Sequence, residues 1–444
     1  MIRRFAVKKL SSFQIISLGF LAVILCGALL LMIPFAAKSG KGAGFMDALF
    51  TSASAVCVTG LVVQDTALFW SPFGQAVILL LIQIGGLGIV TVLAFFAIAS
   101  GRKISLLQRS LLKDSFSAHQ IGGVVRLTVF LFKVALIAEL AGTLLLLPSF
   151  CSRFGPEGIW LSLFHAVSAF CNAGFDLMGS RTGAFSSMTS LGSSPWPVTV
   201  LCLLIIVGGL GFLTWDDVVT HRFHIKKYRM QSKVALSVTG LLILVPSAVL
   251  FFGDFSSLPF RERLCLSLFQ AVTPRTAGFN TADMAALSGI GRTVLIVLML
   301  IGGSPGSTAG GIKTTTAAVL FSNALSVFKR KRQILLFGRR VGEDAVRSAA
   351  TLLTLYLTFA GVAALIISAV EKIPVTVCLF ETVSAIGTVG LSLGITPGLG
   401  PVSRLVLIAL MYTGRVGGLT LIYAAQSGKP AETGIYPMGK IIVG

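Results

Sequence analysis

Apolar residues in this 444-residue chain gather into long blocks separated by short polar stretches, rather than alternating with polar ones. Blocks near 13–36, 75–99, 124–147, 197–215, 234–252, 292–320, 346–370 and 402–424 have the length needed to cross a hydrocarbon layer of about 30 Å. They predict eight transmembrane helices and an all-α membrane protein. Within each successive pair sits a shorter apolar segment of about a dozen residues, such as 45–56 and 374–385. That length cannot span, and it suits a re-entrant half-helix.

The shorter segments share one phrase: Leu49-Phe50-Thr51-Ser52-Ala53-Ser54, Leu163-Phe164-His165-Ala166-Val167-Ser168, Leu268-Phe269-Gln270-Ala271-Val272-Thr273 and Leu379-Phe380-Glu381-Thr382-Val383-Ser384. A glycine follows each Phe by 10, 10, 9 and 10 residues: Gly60, Gly174, Gly278 and Gly390. A phrase returning at this spacing predicts one structural unit used four times, over 1–100, 101–220, 221–328 and 329–444. Each unit reads as helix, pore loop, helix, and four pseudo-symmetric copies around an axis enclose a pore. Half-spanning backbone survives at membrane depth only where protein buries it or water lines it. A half-helix entering from outside points its carbonyl end, with partial negative charge, toward the membrane centre. The residues rising from there to the glycine can offer carbonyl oxygens to a dehydrated cation. The candidates are Cys57, Val58, Thr59 and Gly60; Cys171, Asn172, Ala173 and Gly174; Arg275, Thr276, Ala277 and Gly278; and Gly387, Thr388, Val389 and Gly390. For any one of the 48 glycines helix packing is the better reading; the fourfold match favours the pore.

Composition agrees with the blocks. Apolar residues make up 55% of the chain and charged ones 12%, with mean hydropathy +0.91, which excludes an ordinary water-soluble domain. The net charge of +20 is concentrated: segments 1–12, 101–126, 221–233 and 329–347 hold 4, 5, 5 and 7 of the 36 Lys and Arg residues. These clusters alternate with the glycine-ended phrases, so the positive-inside bias places them, and both termini, in the cytoplasm. The apolar run after Arg3, Arg4, Lys8 and Lys9 is too long for a signal-peptide core and belongs to the first unit. Seven scattered cysteines suggest neither a disulfide framework nor a metal site.

Some polar residues stand out. Asp65, Asp176 and Asp283 follow the glycines, where they read either as a carboxylate ring concentrating cations at an outer mouth or as solvated loop charge. Gly302, Gly303, Ser304, Pro305, Gly306, Ser307, Thr308, Ala309, Gly310 and Gly311 interrupt the last helix of the third unit, since five glycines and a proline in ten residues hold no regular helix. Such a loop at membrane depth belongs along an aqueous path. Gly306 to Thr314 looks like a phosphate-binding loop, but Ile312 separates Gly311 from Lys313 and no soluble strand precedes it. Arg415 lies within a span, either facing a water-filled cavity or snorkelling. Lys133 and Glu139 also lie in a span, where interhelical contacts are expected. Asp216 and Asp217 read as solvated charge at a helix end, and the four histidines show no ligand cluster.

The phrases with their single glycines, Gly-Gly-Leu-Gly at 85–88 and 208–211, the segment Gly302 to Thr316, and Arg415 together make the chain resemble KtrB proteins, the potassium-translocating membrane subunits of bacterial Ktr systems in the Trk, Ktr and HKT superfamily. The likeness covers essentially the whole chain. It implies four helix, pore-loop, helix units around one pathway, a homodimer with a pore in each protomer, and potassium uptake across the bacterial cytoplasmic membrane, often influenced by sodium. It implies that the broken third inner helix, through Lys313, is a gate loop and that Arg415 lies beside the pathway below the filter. Serine at the Gly60 position goes with sodium preference in the plant relatives, so glycine there argues for potassium. A cytoplasmic ring of nucleotide-binding KtrA-type subunits is the implied partner, with membrane lipid and without nucleic acid. The C-terminal tail, Gly434 to Gly444, would pack at the dimer interface. Potassium, and sodium beside it, are transported ions; no nucleotide or organic cofactor is expected in this chain. Two other functions stay in view: a sodium-permeable or poorly selective cation channel, and a membrane-embedded enzyme. An enzyme would need a nucleophile with its base, or carboxylates and histidines clustered at one depth, whereas the polar residues here repeat as turn material.

Overall fold

A computed structural model describes residues 11–102, 104–116, 123–331 and 333–426. The basic residues Arg3, Arg4, Lys8, Lys9 and Arg332, together with His119 and the tail from Gly434, lie outside the described residues.

One sequence of elements recurs four times. The first copy has α1 (Ser12–Leu31), α2 (Phe45–Val56), α3 (Pro72–Leu87) and α4 (Ile89–Ala99). After α5 (Leu106–Phe116), the second has α6 (Val124–Phe154), α7 (Gly158–Phe170), α8 (Pro195–Gly209) and α9 (Phe212–His221). The third has α10 (Met230–Phe252), α11 (Phe260–Val272), α12 (Gly289–Leu300) and α13 (Thr314–Phe328). A hairpin of two-residue strands, Leu335–Leu336 and Arg339–Arg340, precedes the fourth, with α14 (Glu343–Glu371), α15 (Val375–Gly387), α16 (Pro401–Val416) and α17 (Gly418–Gln426). Each copy is therefore a long outer helix, a half-length pore helix and a broken inner helix. The inner helices start where Ser71-Pro72, Ser194-Pro195, Ser288-Gly289 and Gly400-Pro401 stand. Proline suits a first helical turn, which needs no N–H, and Ser71 and Ser288 accept from Gly74 N and Gly291 N at 3.2 and 3.0 Å.

The blocks 75–99, 197–215 and 402–424, expected as unbroken spans, each prove to be two helices. Helices α3 and α4 meet at 94° across Gly88, and α8 and α9 at 99° around Gly211; Gly417 separates α16 from α17. These glycines have φ of 85°, 88° and 92°, a region that costs an L-residue about 1–2 kcal/mol. The interruption expected only in the third unit is thus a feature of all four. Among the described residues, α1, the continuous stretch Val124–Phe170 that holds α6 and α7, α10 and α14 are long and apolar enough to cross a membrane, and the two sharply bent pairs bring the number to six.

Packing follows the lipid environment. Exposed apolar residues fall at helical spacing on the outer helices: Leu18, Leu21, Leu25 and Leu29 on α1, and Leu136, Ile137, Leu140 and Leu144 on α6. The pore helices are enclosed instead, and the phrase phenylalanines Phe50, Phe164, Phe269 and Phe380 are all at most 1% exposed. Lipid is as apolar as these rings, so close packing, rather than removal from water, accounts for their placement.

Candidate functional site

The four glycines meet. A methyl group built on Gly60 would lie 3.1 Å from the Cα of Gly174; on Gly174, 2.9 Å from that of Gly278; on Gly278, 3.3 Å from that of Gly390; and on Gly390, 3.0 Å from that of Gly60. The ring closes in chain order, and each such methyl would also abut the carbonyl oxygen preceding the next glycine, on Ala173, Ala277, Val389 and Thr59. All four glycines are left-handed, with φ of 88°, 70°, 82° and 92°. So are the residues two positions earlier, Val58, Asn172, Thr276 and Thr388, at 56°, 58°, 70° and 51°. Side-chain-bearing residues resist that region, and its fourfold recurrence marks a backbone held by its surroundings.

The last residue of each phrase supplies that hold, a role the sequence reading missed although the Ser/Thr recurs four times. Thr59 N, Ala173 N and Val389 N donate to Ser54 O, Ser168 O and Ser384 O, each at 2.8 Å. In the third unit, one residue shorter here, Ala277 N and Gly278 N both reach Thr273 O, at 2.9 and 3.3 Å. The hydroxyls reinforce this: Ser54 and Ser384 Oγ accept from Gly60 N and Gly390 N at 3.0 Å, while Ser168 and Thr273 donate to Phe175 O and Phe279 O at 2.8 and 2.7 Å. In the second, third and fourth units the third phrase position secures the outgoing strand. His165 Nε2 accepts from Leu177 N at 3.1 Å, Gln270 Nε2 reaches Thr281 Oγ1 at 3.5 Å, and Glu381 accepts from Leu393 N and Thr396 Oγ1 at 3.0 and 2.9 Å.

Below the ring, the inner helices press on the ends of the pore helices. A methyl on Gly85, Gly208 or Gly414 would lie 2.8, 3.0 or 2.9 Å from the carbonyl carbon of Val56, Phe170 or Ile386. Gly414-Arg415-Val416-Gly417 thereby matches the two Gly-Gly-Leu-Gly segments, and Arg415 occupies the place of Gly86 and Gly209. Its guanidinium donates to Thr308 O, to Gly85 O, and to Gly86 O at 3.0 Å. It therefore turns inward instead of snorkelling.

Residues 301–313 form an ordered loop. Ser304 N and Thr308 N donate to Gly209 O and Gly208 O at 2.9 and 3.2 Å, Phe212 N to Gly306 O at 2.8 Å, and Gly302 N to Ile312 O at 2.8 Å. Lys313 Nζ turns back to Ala309 O at 2.7 Å. A cavity of about 610 Å³ lies against this loop, with Gly306, Ser307, Ala309, Lys313, Phe212 and Arg415 in its wall.

Other expected residues part company. Asp65, Asp176 and Asp283 form no equivalent set. Asp65 is buried, accepting from Ala67 N and Leu68 N at 2.9 Å and from Phe185 N at 2.8 Å. Asp176 accepts from Met178 N at 3.0 Å, and exposed Asp283 from Ala285 N at 2.9 Å. Arg275 sends its side chain to Thr239 Oγ1, 3.1 Å away on α10. Asp217, expected to be solvated, is 2% exposed and accepts from Arg229 N and Ser232 Oγ at 2.9 and 2.6 Å. Glu139 makes the expected interhelical contact, accepting from Gln83 Nε2 at 2.9 and 3.1 Å. Among the described residues no His, Cys, Asp and Glu group could hold a metal ion.

Residues 5–433 match the family described as TrkH, cation transport protein. The chain belongs to that family. It is 41% identical to the potassium/sodium uptake protein NtpJ of Enterococcus hirae, covering 98% of both chains. It is 36% identical to the Ktr system potassium uptake protein B of Bacillus subtilis, over 97% of this chain and 96% of that one. Its fold is similar to that of the potassium transporter TrkH from Vibrio parahaemolyticus, with a TM-score of 0.74, 19% identity, and coverage of 95% and 86%. As a member of the TrkH family the chain is a cation transporter and not an enzyme.

Proposed function

We propose that this protein carries potassium into a bacterial cell, passing the ion through the ring formed at Gly60, Gly174, Gly278 and Gly390. The observation that carries this reading is the closure of the ring in chain order, with each glycine packed on the carbonyl that precedes the next. Carbonyls of the residues leading to the glycines replace the hydration shell of the ion. The pore helices direct their carbonyl ends at the same place and favour a cation there. The names of the relatives, a potassium/sodium uptake protein and a Ktr potassium uptake protein, support the choice of ion. In this reading the loop 302–313 is the gate, and Arg415, bound to it, opposes cations below the filter. Opening then requires the loop to release Gly208 O, Gly209 O and Arg415. The four units have the boundaries expected from the sequence, the basic clusters face the cytoplasm, and the chain works as a homodimer docked on a cytoplasmic ring of nucleotide-binding subunits. The naming of a relative as part of a Ktr system supports that partner.

Potassium, rubidium and sodium uptake into proteoliposomes, wild type beside Gly60→Ser, tests the filter. The serine variant is expected to raise sodium relative to potassium flux. Cation preference indifferent to that change overturns the assignment of Gly60, and absence of cation flux in the wild type overturns the function.

A further inference from the structure

The position two residues before the glycine carries more than a strained backbone. In three of the four units its side chain ends in a buried oxygen with no hydrogen-bond partner among the described residues: Asn172 Oδ1, Thr276 Oγ1 and Thr388 Oγ1. Each of these residues is 0% exposed. A buried polar atom left unpaired costs about 1–3 kcal/mol, and three at one repeated position call for a common explanation. Other orphan oxygens recur less: Thr51 Oγ1 and Gln270 Oε1 share the third phrase position, but in two units only.

The three side chains meet one structure, the loop beneath the ring. A methyl on Gly302 would lie 3.0 Å from Thr276 Cγ2, and one on Gly310 would abut Thr388 Oγ1 itself, so the loop covers that oxygen. Asn172 Nδ2 donates to Thr308 Oγ1 at 2.9 Å. The Thr308 hydroxyl gives its own proton to Phe170 O at 3.0 Å, so it can only accept from Asn172. That fixes the amide: Nδ2 faces the loop, and Oδ1, a pure acceptor, faces away from that bond. The fourth member of the layer is Val58, which offers no oxygen.

We infer that Asn172, Thr276 and Thr388 form a binding site for a dehydrated monovalent cation between the glycine ring and the loop, made by side-chain oxygens and left open on one side by Val58. The inference rests on the filter reading and extends it. The backbone carbonyls select the ion, and this three-oxygen layer holds it at the inner end until the loop moves. The loop shares a hydrogen bond with Asn172, so displacing Thr308 disturbs the site and releases its ion. Three oxygens instead of four keep the hold weak enough for the ion to leave, which conduction requires.

The test is potassium titration of the purified full-length protein, read by calorimetry and by potassium-dependent thermal stability. Uptake at low external potassium is measured in parallel. Replacing both hydroxyls, Thr276→Val with Thr388→Val, keeps the shape and removes two oxygens. Its apparent potassium affinity is expected to fall about tenfold, the scale of losing contacts to a charged group. Val58→Thr supplies the fourth oxygen and is expected to strengthen binding by roughly threefold on the same grounds. Unchanged affinity in the double variant overturns the site. Should that variant fail to fold, Val58→Thr decides alone, and no gain in affinity overturns it. Gly60→Ser in the same series keeps the two readings apart. Lost selectivity there with unaltered affinity in the threonine variants sinks the inner site only, and unaltered selectivity there sinks the filter reading on which the site depends.

Discussion

A methyl group is the smallest probe of the ring. Gly174→Ala would impose a side chain at φ 70°, at a conformational cost of about 1–2 kcal/mol, and would place that methyl 2.9 Å from the Cα of Gly278. Gly394 has φ 91° but open space around it, so Gly394→Ala carries the strain without the crowding. Cation flux is expected to fall at least about tenfold in Gly174→Ala, as a misplaced filter backbone would require, and to persist in Gly394→Ala; equal flux in the two would show that the ring tolerates bulk. The aspartates beyond the ring divide differently. Asp65 serves three backbone amides, so Asp65→Ala is expected to lower stability by about 1–2 kcal/mol, the usual loss for a helix cap, seen as a reduced melting temperature. Asp176 is half-buried, and burial, with the neighbouring Asp65 adding to it, pushes its carboxyl up from 3.8 to about 6 against the pull of the Met178 amide. A raised value in the folded state means that folding binds a proton between pH 4 and 6, so this group's contribution falls as pH rises through that window. Asp176→Asn should flatten the melting temperature across that range, and a slope equal to the wild type would exclude Asp176 as its source.

The elements show which features a sequence declares. The phrase Leu-Phe-x-x-x-Ser/Thr was legible because it must do the same work four times: a buried Phe to seat the pore helix and a hydroxyl residue to tie back the strand after it. The ten-residue break at 302–311 was legible because its glycines and proline are dense. The breaks at Gly88, Gly211 and Gly417 were not, since one glycine among apolar residues leaves the hydropathy of a block intact while allowing a turn of 94° or 99°. Nor do side-chain directions show: Arg275 stands in a proposed filter segment yet reaches out to Thr239, and Asp217 reads as solvated charge at a helix end yet is buried on α9 against the start of α10. The bends suggest their own test. Gly211→Ala puts a Cβ at φ 88°, 2.6 Å from Pro305 O in the loop. It should both stiffen the joint and push on the loop, lowering stability by about 1–2 kcal/mol and altering flux. Gly417→Ala strains a joint whose nearest neighbour is 3.6 Å away, and should cost a similar stability with less effect on flux. Assays that rank the two alike would remove any special link between the second bend and the loop.

Across the whole molecule the fourfold plan is broken in an ordered way, and the breaks meet at Arg415. Where the first two units have a second glycine, the fourth has this arginine, and where the other inner helices turn within one or two residues, the third opens into the loop. Arg415 spans the difference: from the fourth unit it donates to Gly85 and Gly86 of the first and to Thr308 of the third. Thr308 in turn contacts Asn172, Phe170 and Gly208 of the second. Every unit is therefore linked through one guanidinium and one loop residue, so movement of the loop cannot stay local. On the proposed pathway, a cation confined at this depth would also oppose a permeating cation, by a margin that depends on how little water surrounds it. Arg415→Gln keeps a hydrogen-bond donor and removes the charge. Both the weaker tie and the lost repulsion act in the same direction, and potassium flux per protein should rise by roughly threefold or more, the scale of removing one nearby like charge, with a changed dependence on membrane potential. Lys313→Met supplies the contrast, because among the described residues Lys313 bonds only to its own loop, at Ala309 and Gly310. If charge alone sets the barrier, the two substitutions should raise flux together. A rise confined to Arg415→Gln would place the control in the ties between units, and wild-type flux and voltage dependence in Arg415→Gln would separate this arginine from the ion path.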